Sequence, residues 1–279
     1  MIVFYKILFK FITKIKDADL AAKLIGFVFY YFIPIRKKKV LENLQVAFPQ
    51  KKEDELKKIR KKVYRSISKT LVELINFQNA DKSKILTMID TSEIIEQINH
   101  EGAIILLTAH IGNWELGALA VGILSNKDFY VLAKEQKSSF VSKMVTDIRE
   151  KFGNKEIYLG NSVKRIFSAL RSNNIVGIVG DQRGPKESIK VKFFNRDTTV
   201  YTGAAQFAIK TKSKIVVTFV IRKENNQYKF FCRTIDPMLY KGSFEENTAK
   251  ITQAYFAMLE EYIRKYPEQW FWFHNIWKY

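Results

Sequence analysis

From Ala103 to Gly180, short apolar runs alternate with segments of helical period, and this alternation leaves the chain few architectures. "AIILLTAHIGNWELGAL" (Ala103 to Leu119) begins it with an apolar run, a polar hinge at Gly112 and Asn113, and a helix pattern opening at Trp114. "FYVLAK" (Phe129 to Lys134) is then a strand, Ser139 to Phe152 a helix, and "EIYLG" a strand. Val163 to Ser172 is a helix and "NIVGIVG" (Asn174 to Gly180) a buried strand. Repeated strand–helix–strand units need crossover connections, which build a largely parallel sheet. "SIKVKFF" is a further strand candidate, and Thr202 to Lys212 is a helix with Thr202 as its cap. "KIVVTFVIRK" and "YKFFCRTI", separated by "ENNQ", form an antiparallel pair. A long helix from Phe244 to Lys265 ends before Pro267. The predicted fold class is α/β, a single domain with a mainly parallel central sheet flanked by helices, behind an N-terminal membrane-associating helical segment. The expected division is 1–39 for that segment and 40–279 for the domain.

The apolar run that ends at Thr108 puts His110 at the carboxyl end of a strand, the edge where open α/β sheets bind ligands. Glu115 follows five residues later. On one continuous helix the two side chains would stand about 140° apart, whereas a strand–turn–helix lets them converge. An imidazole whose tautomer is fixed by a carboxylate is a general base for activating a hydroxyl. A structural hydrogen bond is the plain alternative for one His and one Glu near a strand end. "VGDQRGPKES" sets Asp181, Gln182 and Arg183 at the same sheet edge, either to orient the polar part of a substrate or simply to turn the chain. Arg149, in "VTDIREKFG", can grip phosphate or carboxylate with its planar fork, or be a solvated helix arginine.

A formal net charge of +19 favours anionic partners: nucleic acid, an acidic membrane surface or an acidic carrier protein. No helix-turn-helix, zinc-finger or RNP signature supports nucleic acid, and the aromatics fall in apolar runs. The first sixteen residues, "MIVFYKILFKFITKIK", space Lys6, Lys10 and Lys14 four apart among bulky apolar residues, a pattern suited to a bilayer interface. "LIGFVFYYFIPI" (Leu24 to Ile35) is shorter than the ~20 residues of a simple span. Pro34 should stop or kink it, and the basic run Arg36 to Lys39 follows. It reads as a second interfacial element or a short membrane segment, with its lysines on the cytoplasmic side. From Glu53 to Phe77, Leu56, Ile59, Val63, Ile67, Leu71 and Leu74 mark a helix that packs on the core. Three histidines without paired cysteines or an H-E-x-x-H helix argue against a protein-bound zinc. The single Cys232, in a strand, reads as a small buried hydrophobe.

"TAHIGNWELG" resembles the H-x-x-x-x-D/E motif of the lysophospholipid acyltransferase superfamily, and its Gly-Asn-Trp-Glu filling is similar to the late acyltransferases of lipid A biosynthesis. "VLENLQVAFPQ", Arg149 between the two motifs, "GDQ", "YTGAAQFAIKTKSKIVVTFV" and "PEQWFWFHNIWK" extend the resemblance from about Val40 to Lys278. The tail departs after His274, where Asn275 and Ile276 replace the arginines usual there, so it reads as an aromatic plug. The resemblance implies an O-acyltransferase in which His110 takes the proton of an acceptor hydroxyl and Glu115 orients His110. It implies Arg149, Asp181, Gln182 and Arg183 as substrate-binding residues, with no metal or organic cofactor. It further implies an acyl carrier protein as donor and a lipid A precursor as acceptor, at the cytoplasmic face of a bacterial inner membrane. Direct transfer is expected, because no nucleophilic Ser or Cys signature accompanies the pair. Acyl transfer to another glycolipid or a lysophospholipid stays open, as does a basic protein that binds anionic lipid or nucleic acid.

Overall fold

The computed structural model describes residues 15, 17–33, 35–135, 138–159 and 162–278. The amphipathic segment expected over Met1 to Lys16, and the stop expected at Pro34, therefore lie outside the described residues except for Ile15. The chain folds as a mixed α/β domain around a seven-stranded, mostly parallel sheet.

Among the described residues, helices α1 (Ala18–Tyr31), α2 (Lys37–Ala47) and α3 (Glu53–Asn76) come first. Asp17 caps α1 by accepting from the Asp19 and Leu20 amides, and Ala21, Ala22 and Ile25 are buried. Gly26 lets the helix approach α3: a Cβ there would lie 3.1 Å from the Arg65 Cα. Of the predicted α3 stripe, Leu56 and Val63 are buried, whereas Ile59, Ile67, Leu71 and Leu74 are only partly buried against the core. Tyr64, Val72 and Ile75 are buried beside them, and Glu53, Asp54 and Glu55 stand in the first turn. After helix α4 (Lys82–Thr87), strand β1 (Ile89–Asp90) and helix α5 (Ser92–Ile98), the alternating part begins. It runs β2 (Ile104–Thr108), α6 (Trp114–Leu124), β3 (Phe129–Ala133), α7 (Ser139–Lys151), β4 (Asn154–Tyr158), α8 (Ser162–Arg171) and β5 (Ile175–Val179). Each predicted strand and helix of this stretch appears within a residue or two.

Strands β6 (Lys190–Phe193) and β7 (Arg196–Thr199) make a separate antiparallel hairpin. The "SIKVKFF" strand thus exists but lies outside the main sheet. Helix α9 (Gly203–Thr211) forms where expected, although Thr202 makes no side-chain capping bond. Strands β8 (Lys214–Arg222) and β9 (Tyr228–Ile235) pair antiparallel as predicted. Helix α10 (Phe244–Lys265) is closed at its start by a Ser243/Glu246 capping box.

The sheet order is β1-β9-β8-β2-β5-β3-β4. Strand β2 lies between β8 and β5, parallel to both. One face packs on α6 and α7 through Leu116, Leu119, Met144 and Ile148. The other packs on α8, α9, α10 and the C-terminal aromatic tail through Ile166, Ala205, Tyr255 and Trp272. The helix after β2 therefore covers one face, while the elements after β5 cover the other. The chain diverges at the carboxyl ends of these two neighbours, which is where an open α/β sheet leaves a crevice.

Candidate active site

That divergence juxtaposes the residues that follow β2 and β5. His110 Nδ1 stands 2.7 Å from Asp181 Oδ1, and the His110 amide donates to Asp181 Oδ2 at 3.0 Å. The Trp270 indole donates to the same Oδ2 at 2.8 Å. Asp181 is fully buried. Burial alone would raise its pKa, but His110, its hydrogen bond, His274 and the Trp270 indole outweigh this and hold the carboxyl well below the usual range. For His110, burial favours the neutral ring, yet the charge and hydrogen bond of Asp181, with a smaller contribution from Glu115, raise the pKa above 6.5. With Asp181 ionised, Nδ1 carries the proton toward it and Nε2 is the basic nitrogen.

The His110 backbone is held from three sides. Gly112 adopts φ +60°, and a Cβ there would fall 1.8 Å from the Val220 carbonyl oxygen, so only glycine fits this turn. The Gly112 amide donates to the Gln269 carbonyl at 2.9 Å, and the Asn113 amide to the Val220 carbonyl at 3.0 Å. The Phe271 amide donates to the His110 carbonyl at 2.9 Å, and the Thr70 hydroxyl to the Gly112 carbonyl at 3.0 Å. The Asn113 side chain caps α6 by accepting from the Leu116 amide, and donates to the buried Glu73 at 2.8 Å. The tail beginning "PEQWFWFH" is thus a plug, as expected, and also part of the site's frame.

Glu115 lies nearby but makes no hydrogen bond to His110. Arg149 holds it with two bonds, Nε to Oε2 at 3.1 Å and Nη2 to Oε1 at 2.7 Å, and the Trp114 indole donates to Oε1 at 3.1 Å. The third Arg149 nitrogen, Nη1, donates to Glu156 at 2.6 Å. Glu156 also accepts from Thr146 at 2.7 Å and from the Tyr158 hydroxyl. Burial would lower the Arg149 pKa, but its two carboxylate partners reverse this and raise it. Two expectations change here. The carboxylate that orients His110 by contact is Asp181, while Glu115 acts on it only through space. The Arg149 fork is spent on Glu115 and Glu156, so it is no open grip for an anion, although Arg149 does border the cavity.

Of the other residues, Gln182 is exposed on the cavity rim. Arg183 lies outside the lining, its backbone bridged to Val200. Sequence reasoning passed over Trp270 as an Asp181 partner, Glu156 as the second Arg149 partner, and His274. The His274 ring lies 5.2 Å from that of His110, centroid to centroid. Burial, with His110 and Arg36 against the opposing pull of Asp181, brings its pKa down to about 4, so the ring is neutral. Only the tail's aromatic density hinted at this, since its distance in sequence from His110 hid the contact. His110, Asp181 and His274 bring ligating atoms within 4.8 Å of one another. However, Asp181 Oδ2 already accepts two N–H groups and Oδ1 a third, so a metal would have to displace the bond that orients His110. The donor set fits proton transfer better than metal binding.

His110, Trp114, Glu115 and Arg149 border a cavity of about 630 Å³ whose walls are mainly apolar, including Leu106, Val131 and Phe230. Such a site offers one basic nitrogen to a substrate that is mostly hydrocarbon. No curated protein matches the chain. The sequence model described as bacterial lipid A biosynthesis acyltransferase matches residues 3–279. With that match over nearly its whole length, the chain belongs to the lipid A biosynthesis acyltransferase family and is an acyltransferase.

Proposed function

We propose that this enzyme moves a fatty acyl group from the thioester of an acyl carrier protein to a hydroxyl of a lipid A precursor. His110 Nε2 takes the hydroxyl proton as the oxygen attacks the thioester carbonyl. A C–O bond forms, the C–S bond breaks, and the proton held by His110 passes to the departing thiolate. Asp181 keeps the ring in the right tautomer and stabilises its cationic form. Glu115, fixed by Arg149, adds negative charge behind the imidazole. The observation that carries this reading is His110, bound through Nδ1 to a buried carboxylate, at the mouth of an apolar cavity. The net charge of +19 suits an acidic carrier and an anionic lipid surface. His110→Ala should cost at least about 10²-fold in turnover, the contribution of a positioned base, with the fold intact by circular dichroism. Near-normal transfer by a folded His110→Ala protein, measured by mass spectrometry of the lipid product, would exclude the mechanism.

The acceptor is a lipid that will not leave a bilayer readily, so the enzyme must reach it there. Helix α1 turns Leu20, Leu24, Phe27 and Tyr31 outward on one face, while Ala21, Ala22 and Ile25 face the protein. Phe32, Ile33 and Ile35 continue the exposed apolar surface toward the basic run Arg36 to Lys39. At fourteen residues α1 is about 21 Å long, short of the ~30 Å hydrocarbon core. No helix among the described residues is long and apolar enough to cross a membrane. We infer attachment to the cytoplasmic leaflet with α1 lying in the interface. Salt screens headgroup attraction, leaving a Debye length of about 3 Å at 1 M, but does not weaken apolar insertion. High salt should therefore strip little protein from membranes while detergent releases it. Release by salt alone, followed by sedimentation assay, would show that the apolar face does not insert.

A further inference from the structure

Successive residues on a strand point to opposite faces of the sheet. Yet the cavity is bordered by both Leu106 and Leu107 on β2, both Val131 and Leu132 on β3, and both Gly177 and Ile178 on β5. A single space therefore passes around the carboxyl edge of the sheet and runs down both faces, with His110 at the crossing. The two arms differ. On the α6 face the deep walls include Leu106, Val121, Phe129, Val220 and Phe230, all at most 3 % exposed, so this arm is closed at its depth. On the α9 and α10 face the arm opens to the surface between Leu159 and Tyr201, which are 56 % and 58 % exposed.

We propose that the two arms hold two hydrocarbon chains at once: the donor's acyl chain in the closed arm, and a chain of the lipid acceptor in the open one. This rests on the acyl-transfer reading above and adds to it which chain goes where. A donor delivers a single chain that can be swallowed whole. An acceptor has further chains that must stay outside, so the chain it inserts needs an arm with an open side. Exposed Leu159 and Tyr201 would otherwise be apolar surface left in water, and they suit the remaining chains of a lipid.

The closed arm also has a floor. Gly177 lies directly beneath the Phe129 ring, since a Cβ there would come within 2.8 Å of Phe129 Cε2. Phe129 begins β3, but its ring reaches up to Gly177, which pairs with Val131, so the floor is about 7 Å below the Ala133 edge at ~3.3 Å per residue. Phe129 is thereby a residue that sets donor chain length.

The test uses the full-length enzyme in mixed micelles, a series of acyl-carrier thioesters of graded chain length, and a hydroxyacylated glycolipid acceptor. Phe129→Ala should raise kcat/KM for longer donors relative to the wild-type optimum by about tenfold, as expected when about two more methylenes are buried. Phe129→Leu, a milder trim that guards against misfolding, should move the optimum the same way by less. Ala205→Leu, which fills the open arm, should raise the acceptor KM about tenfold and leave the donor profile where it was. A folded, active Phe129 variant with an unchanged donor profile would overturn the assignment, as would Ala205→Leu altering donor length instead of acceptor KM. A wild-type enzyme that transfers no acyl group from any donor would overturn the acyl-transfer reading itself, and the two-arm inference with it.

Discussion

Replacing Asp181 by Asn should lower kcat by about 10⁴-fold, the loss seen when a buried aspartate that orients a catalytic imidazole becomes an amide. The amide preserves shape, but it can present N–H to Nδ1 and so invert the tautomer, turning the basic nitrogen away from the substrate. The same substitution predicts a displaced pH profile. In the wild-type enzyme His110 must be deprotonated to act, and the Asp181 charge raises its pKa above 6.5. Activity should therefore rise with pH through a limb above that value. Without the charge, burial dominates and lowers the pKa, so the residual activity of Asp181→Asn should rise at lower pH than the wild type. Purified-enzyme rates across pH check both points. An Asp181→Asn enzyme with the wild-type rate and limb would show that Asp181 is structural only.

The strand and helix assignments were legible because the apolar period and the Gly/Asn hinges agreed at each step from Ala103 to Gly180. Gly112, read as a hinge, proves to be one for a steric reason, its contact with the Val220 carbonyl. What could not be read was adjacency. The sequence brings His110 and Asp181 each to the end of a strand, but only the sheet order makes those strands neighbours. Proximity in sequence suggested Glu115 as the partner instead. At the first turn of α6, however, its carboxylate points to Arg149 on α7, a contact between helices that no local spacing encodes. Helix α2 was hidden for another reason. Three lysines open it, against the helix dipole. It forms because Val40 and Leu44 are buried and because Asn43 donates to the carbonyls of Trp272 and His274. Long-range contacts overrode a weak local signal.

Arg149→Met should destabilise the protein by about 3–5 kcal/mol, the cost of removing one partner of a buried ion pair. The Glu115 and Glu156 side chains are 9 % and 4 % exposed, and both face the guanidinium. Without it, two buried carboxylates lose their shared cation, and Glu156 loses part of what holds its pKa down against burial. Equilibrium denaturation measures the loss directly. Adding Glu115→Gln to Arg149→Met should recover part of it, because one stranded charge is then removed, so the two substitutions should be non-additive. Arg149→Lys should fall in between, since it keeps the charge but cannot serve Glu115 bidentately while reaching Glu156. An arginine that bound acceptor phosphate would behave in the opposite way, with acceptor KM raised and stability hardly moved. If Arg149→Met melts like the wild type and only the acceptor KM changes, the fork is not committed to its carboxylates and the substrate-binding role is restored.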